Sequence, residues 1–138
     1  MFDINNKNIL ITGATSGIGR AAALKLASYG ANIFFIARNE GKAKNLVSEI
    51  EKISARKATP IIADLSSLKE IYKASMEFNS LNIPLNILLN NAGLINNQRK
   101  ETIDSYEEVF AINHLAYFYL TYLLLERLKI EPASRIVN

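Results

Sequence analysis

The sequence predicts an α/β fold, a doubly wound parallel sheet covered by helices on both faces. Two observations predict it. Short, continuously apolar runs recur along the chain, and each is followed by a longer stretch with helical composition or spacing. Apolar strands that alternate with helices belong to parallel sheets buried on both sides. The chain has 138 residues, which sets one domain with room for a real core.

The elements follow in order. Asn8–Thr12 (NILIT) is an apolar run closed by glycine. Gly19–Gly30 is rich in helix formers, with Ala22, Leu26 and Tyr29 on one face and Gly30 as the stop. Asn32–Ala37 (NIFFIA) is a second strand. Residues 40–56 place Leu46, Ile50 and Ile53 at helical spacing. Pro60–Ala63 is a third strand. Ser66 is positioned to cap a helix over 67–80, with Glu70 near the capping-box position. Leu85–Asn90 (LNILLN) is a fourth strand, and residues 91–103 are loop. Asp104 or Ser105 starts a long helix to about Leu128, Pro132 marks its end, and RIVN begins a fifth strand. Right-handed crossovers and a Rossmann-like order of 3-2-1-4-5 make the sheet reverse between its first and fourth strands. A ligand then sits outside the C-terminal ends of those two strands, at TGATSGIG and NNAG.

Composition narrows the function classes. Hydrophobic residues make up 49% and charged residues 21%, an ordinary globular balance. With no cysteine, a disulfide, a thiolate metal site and a thiol nucleophile are excluded, and no metal ligand set is expected. This fits a reducing compartment, and a cytoplasmic location is the expectation. The N-terminal segment lacks a signal-peptide pattern. The longest apolar run, Ala116–Leu125, is shorter than the roughly 20 residues of a membrane span, so no span is expected. The net charge is +3, with basic residues interleaved with acidic ones, so no nucleic-acid surface is expected.

GATSGIG places Gly13, Gly17 and Gly19 between a strand and a helix. Gly13 permits a tight turn, and Gly17 and Gly19 let backbone approach a ligand and the helix approach the sheet. The helix N-terminus adds free N–H groups and partial positive charge, so the expected ligand is a dinucleotide diphosphate.

The spacing G-x-x-x-G-x-G, then Asp64-Leu65, then NNAG at Asn90–Gly93, then INHL at Ile112–Leu115, resembles the short-chain dehydrogenase/reductase family over the whole chain. The NHL wording and the aromatic-rich helix after it are most similar to the retinol-dehydrogenase and protochlorophyllide-reductase branch. The resemblance implies that Gly13, Gly17 and Gly19, with Thr15, Ser16 and Ile18, line the cofactor diphosphate and adjoining ribose. It implies that Asp64 bonds the adenine amino group with Leu65 beside it. Asn90, Ala92 and Gly93 would pass beneath the adenosine ribose and support the sheet centre.

The end of the second strand bears on the cofactor. An acid about 20 residues after the glycine loop accepts from the ribose hydroxyls in NAD enzymes. Here Ala37 and Arg38 stand in its place, and Asn39 can add a hydrogen bond. A guanidinium binds a 2′-phosphate that a carboxylate would repel, so NADP(H) is favoured over NAD. Arg20 and Lys42 are basic neighbours of the same region, most simply solvated.

The resemblance further implies hydride transfer between nicotinamide and a small-molecule carbonyl or alcohol, by an Asn–Ser–Tyr–Lys set, in a homo-oligomer. Asn113 matches the asparagine, which holds a water of the proton relay. His114 is the only histidine and points about 100° away from Asn113 on a helix, so it is read as a surface or packing residue. No tyrosine has lysine four residues on, and Tyr117, Tyr119 and Tyr122 are read as helix packing. The catalytic serine and Tyr-x-x-x-Lys would follow Asn138. Residues 1–138 are therefore expected to be a dinucleotide-binding domain incomplete at its C-terminus, inactive alone. An apolar fifth edge strand and a helix apolar over most of its circumference agree with that expectation. The alternatives are a non-catalytic dinucleotide-binding module and an interaction protein.

Overall fold

A computed structural model describes residues 3–56 and 58–138. Five parallel strands, β1 (Asn8–Thr12), β2 (Asn32–Ala37), β3 (Thr59–Ile62), β4 (Ile87–Leu89) and β5 (Arg135–Val137), form one sheet in the order β3-β2-β1-β4-β5. This is the order expected of a Rossmann-like α/β fold. In the register, Leu10 stands between Phe34 of β2 and Leu88 of β4.

Side-chain alternation along the strands builds two cores. Ile9, Ile11, Ile33 and Phe35 face helices α1 (Gly17–Ser28) and α2 (Glu40–Ile53). Leu10, Ile36, Ile61 and Leu88 face α3 (Leu68–Ser80) and α5 (Ala116–Lys129). Phe34 and Phe78 meet edge to face across the second interface, with ring centroids 5.2 Å apart.

Several helix details differ from the sequence expectation. The buried face of α1 is Gly19, Ala23 and Ala27, not Ala22, Leu26 and Tyr29. Small residues let this helix lie close to the sheet, while Tyr29 is exposed at the C-cap under the Lys25 ammonium. In α2 the buried positions are Ala43, Leu46 and Ile50, whereas Ile53 is exposed in the last turn. Ser67, not Ser66, caps α3 by accepting from Glu70 N. The Glu70 carboxylate reaches past the cap to accept from Asp64 N, and Asp64 in turn accepts from Ser66 N.

The long helix begins at Glu108, not at Asp104 or Ser105. Asp104 is spent on the N-terminus of α3, accepting from Leu68 N at 2.8 Å, and Ser105 has a positive φ of 63°. Glu107 supplies the cap, accepting from Val109 N and Phe110 N. A short α4 (Glu108–Phe110) passes into a π-helical segment, Ala111–Leu115, and then into α5. The run Glu108–Lys129 is 22 residues long and apolar enough, by length and composition, to cross a membrane. Its stripe of Ala116, Leu120, Leu124 and Leu128 is packed into the second core.

Candidate functional site

The C-terminal ends of β1, β2, β3 and β4 open on a cleft of about 510 Å³. Parallel strands direct their C-terminal loops to one edge, and the reversal between β1 and β4 parts those loops. Gly13, Thr15, Ser16, Gly17, Ile18 and Gly19 form one wall, Arg38 stands at the end of β2, and Asp64 and Leu65 follow β3. Asn91, Ala92, Gly93 and Leu94 close the opposite side.

Two glycines show why the loop has its composition. Gly17 has φ +52° and open space where a Cβ would stand, so its backbone is bare toward the cleft. A Cβ on Gly19 would lie 2.3 Å from Gly13 O, so only hydrogen fits between α1 and the turn. The α1 N-terminus has no side-chain cap and no acid in its first turn, whereas the side chains of Asn39 and Ser67 cap α2 and α3. The free N–H groups and dipole of α1 are thus left for an anion.

β1 and β4 are tied where the cleft begins. Thr12 Oγ1 accepts from Asn91 N at 3.0 Å and Ala92 N at 2.9 Å. Asn91 Nδ2 donates back to Thr12 O at 3.1 Å and Gly13 O at 3.2 Å. The segment then runs on to the π-helical turn. Asn113 Oδ1 accepts from Leu94 N, Asn113 Nδ2 donates to Leu94 O, and the Tyr117 hydroxyl donates to Ala92 O. Burial pushes the Tyr117 phenol above its ordinary pKa.

Two residues expected at the cofactor, Asn90 and Asn39, do not line the cleft, and neither does Asn113, the residue expected at a proton-relay water. Asn90 is buried on the α5 side, donating to Thr121 Oγ1 and Asn138 Oδ1. Strand alternation puts Asn90 on the face of Leu88 and turns Asn91 toward the glycine loop. Asn39 does not line the cleft, because its Oδ1 caps α2 by accepting from Lys42 N at 2.8 Å. Asn113 borders a second depression beside α5, and both ends of its amide are engaged by Leu94. Arg20 pairs with Glu49 of α2 instead of facing the cleft. His114 is exposed and stacks on Phe110, with ring centroids 5.2 Å apart. Thr12, Asn91 and Tyr117 escaped the sequence reading. The period-2 continuation of β4 was the available signal for Asn91, and no local pattern distinguishes Tyr117 from its packing neighbours.

Residues 7–138 match the short chain dehydrogenase family. Human retinol dehydrogenase 12 is 39% identical over 134 residues, covering 96% of this chain and 42% of the relative. Human polyprenol dehydrogenase is 38% identical over 121 residues, covering 87% of this chain and 37% of the relative. A solved short chain dehydrogenase from Shigella flexneri 2a str. 301, complexed with NADP, is 31% identical with a TM-score of 0.82. That match covers 97% of this chain and 59% of the solved one. The chain spans about two-fifths of the length of these curated relatives. Retinol dehydrogenase 12 stands on the retinol-dehydrogenase side of the branch resemblance.

Proposed function

Because the chain belongs to the short-chain dehydrogenase family, we propose that it forms the nucleotide-binding part of an NADP(H)-dependent oxidoreductase acting on a small-molecule carbonyl or alcohol. The observation that carries the proposal is the cleft itself. Its bare Gly17 backbone and uncapped α1 N-terminus suit a diphosphate, and Arg38 stands where an NAD-selective site would place an acid. Among the described residues, the charged groups lining it are Arg38 and Asp64.

Each residue has a definite task in this reading. The α1 N–H groups bind the diphosphate, and Arg38 binds the 2′-phosphate through paired charged hydrogen bonds. Asp64 accepts from the adenine amino group, with Leu65 beside it, and Ala92 and Gly93 form the floor under the ribose. The bound dinucleotide supplies or accepts the hydride. Asn113 spends its side-chain amide on Leu94, so a proton-relay water would be held by atoms left over from that clamp. A π-helical turn at this position fits such a task. The 138 residues contain no Tyr-x-x-x-Lys, so this stretch alone is expected to bind cofactor without turnover.

Fluorescence titration with NADPH and NADH tests the assignment. The chain is expected to prefer NADPH, and Arg38→Asp to lose that preference, with NADPH weakened about 10- to 100-fold for a charged hydrogen-bonded pair. Equal affinities for both cofactors in both proteins would contradict the role of Arg38.

A further inference from the structure

The cleft segment Asn91–Leu94 is a strap held from two sides. Thr12 fixes the N–H of Ala92, Asn113 fixes both backbone groups of Leu94, and the Tyr117 hydroxyl takes the Ala92 carbonyl. Gly93 lies between the last two attachments and contributes no side chain. We infer that Tyr117 is a positioning residue for the nucleotide cleft, setting the height of the Ala92–Leu94 strap through the Ala92 carbonyl. This deepens the proposed cofactor reading and rests on it.

Geometry separates Tyr117 from its packing neighbours. Phe118 and Tyr122 are exposed, whereas Leu120 and Leu124 enter the core. Tyr117 does neither: its ring lines the second depression, of about 690 Å³, while its hydroxyl reaches the backbone of the first cleft. The strap lines the first cleft, and Tyr117 reaches it from the side of the second depression. Removing the hydroxyl leaves a partly buried carbonyl short of a donor, a cost concentrated at the ligand-facing backbone.

The full chain and its Tyr117→Phe variant are compared by NADPH titration and by amide hydrogen exchange. The variant is expected to bind NADPH about tenfold more weakly, as one lost hydrogen bond implies. Its NADPH-to-NADH preference, set at Arg38, stays unchanged. Exchange is expected to quicken at Gly93 and Leu94 and to hold steady at Phe34–Ile36. Equal affinity with unchanged strap exchange would overturn the inference, as would a uniform rise in exchange across the sheet. If the parent chain bound no NADPH, the cofactor reading would fall, while strap exchange would still decide the role of Tyr117.

A second test guards against a variant that folds poorly. A fluorinated tyrosine at position 117 brings phenol ionisation toward neutral pH. NADPH affinity should then fall as pH rises and the donor is lost, with no matching fall in the parent chain. His114 and Tyr122 share the depression, and Arg38 and Asp64 share the cleft. Both proteins carry these groups, so the parent profile is the control. Coincident profiles would overturn the inference.

Discussion

Gly17 and Gly19 act through different physics, and substitution should separate them. Gly17→Ala forces an alanine into the left-handed region, at a cost of about 1–2 kcal/mol, and directs a methyl into the cleft. A lower urea midpoint and weaker NADPH binding are expected together. Gly19→Ala meets Gly13 O and the Asn91 amide. It should lower the urea midpoint further, because backbone must move. Asn90 and Asn91 show how much a single position decides. The motif NNAG was legible as a strand end at the switch point, but which asparagine faces the glycines follows from strand phase. Leu88 commits Asn90 to the α5 side, leaving Asn91 for Gly13 O. Tyr117 was not legible, because its partner is a backbone atom 25 residues away.

At the scale of elements, Asn39 offers a clean discrimination between cap and ligand. Asn39→Ala should cost about 1 kcal/mol of stability, as N-cap losses do, and leave the NADPH-to-NADH preference intact. A lost preference would restore Asn39 to the cofactor. Glu107 makes a pH prediction. Hydrogen bonds from Phe110 N and then Val109 N hold its carboxyl below the ordinary value. Its folded pKa is depressed, so the cap contributes above the unfolded pKa and is lost as pH falls through the folded one. An NMR titration should find the Glu107 midpoint below that of a free glutamate, and a midpoint at or above that value would contradict the cap. Periodicity and apolar runs placed all five strands and the first three helices. The start of the long helix was misplaced because capping is a tertiary choice. Asp104 has the right chemistry for a local cap, yet it serves Leu68 of another helix, and the positive φ of Ser105 delays the turn.

At the scale of the molecule, the sheet is covered unevenly. β1 and β2 are buried on both faces, whereas Ile136 and Val137 of β5 remain 43% and 44% exposed at the edge. Phe118 and Tyr122 add an exposed aromatic face on α5. An apolar edge invites pairing with another chain. Ile136→Lys should therefore reduce concentration-dependent light scattering with little change in the urea midpoint; unchanged scattering would exonerate the edge. The cleft lies away from this edge, at the C-terminal ends of the inner strands, where order 3-2-1-4-5 separates the loops after β1 and β4. Fold order and cleft position were legible together, because the reversal that defines the order also makes the crevice. The direct test is an NMR titration of the labelled chain with NADPH. Saturable shifts are expected at Gly13–Gly19, Arg38, Asp64–Leu65 and Asn91–Leu94, with β5 and the exposed face of α5 unmoved. Shifts confined to the α5 depression, or no saturable shift at all, would contradict the account.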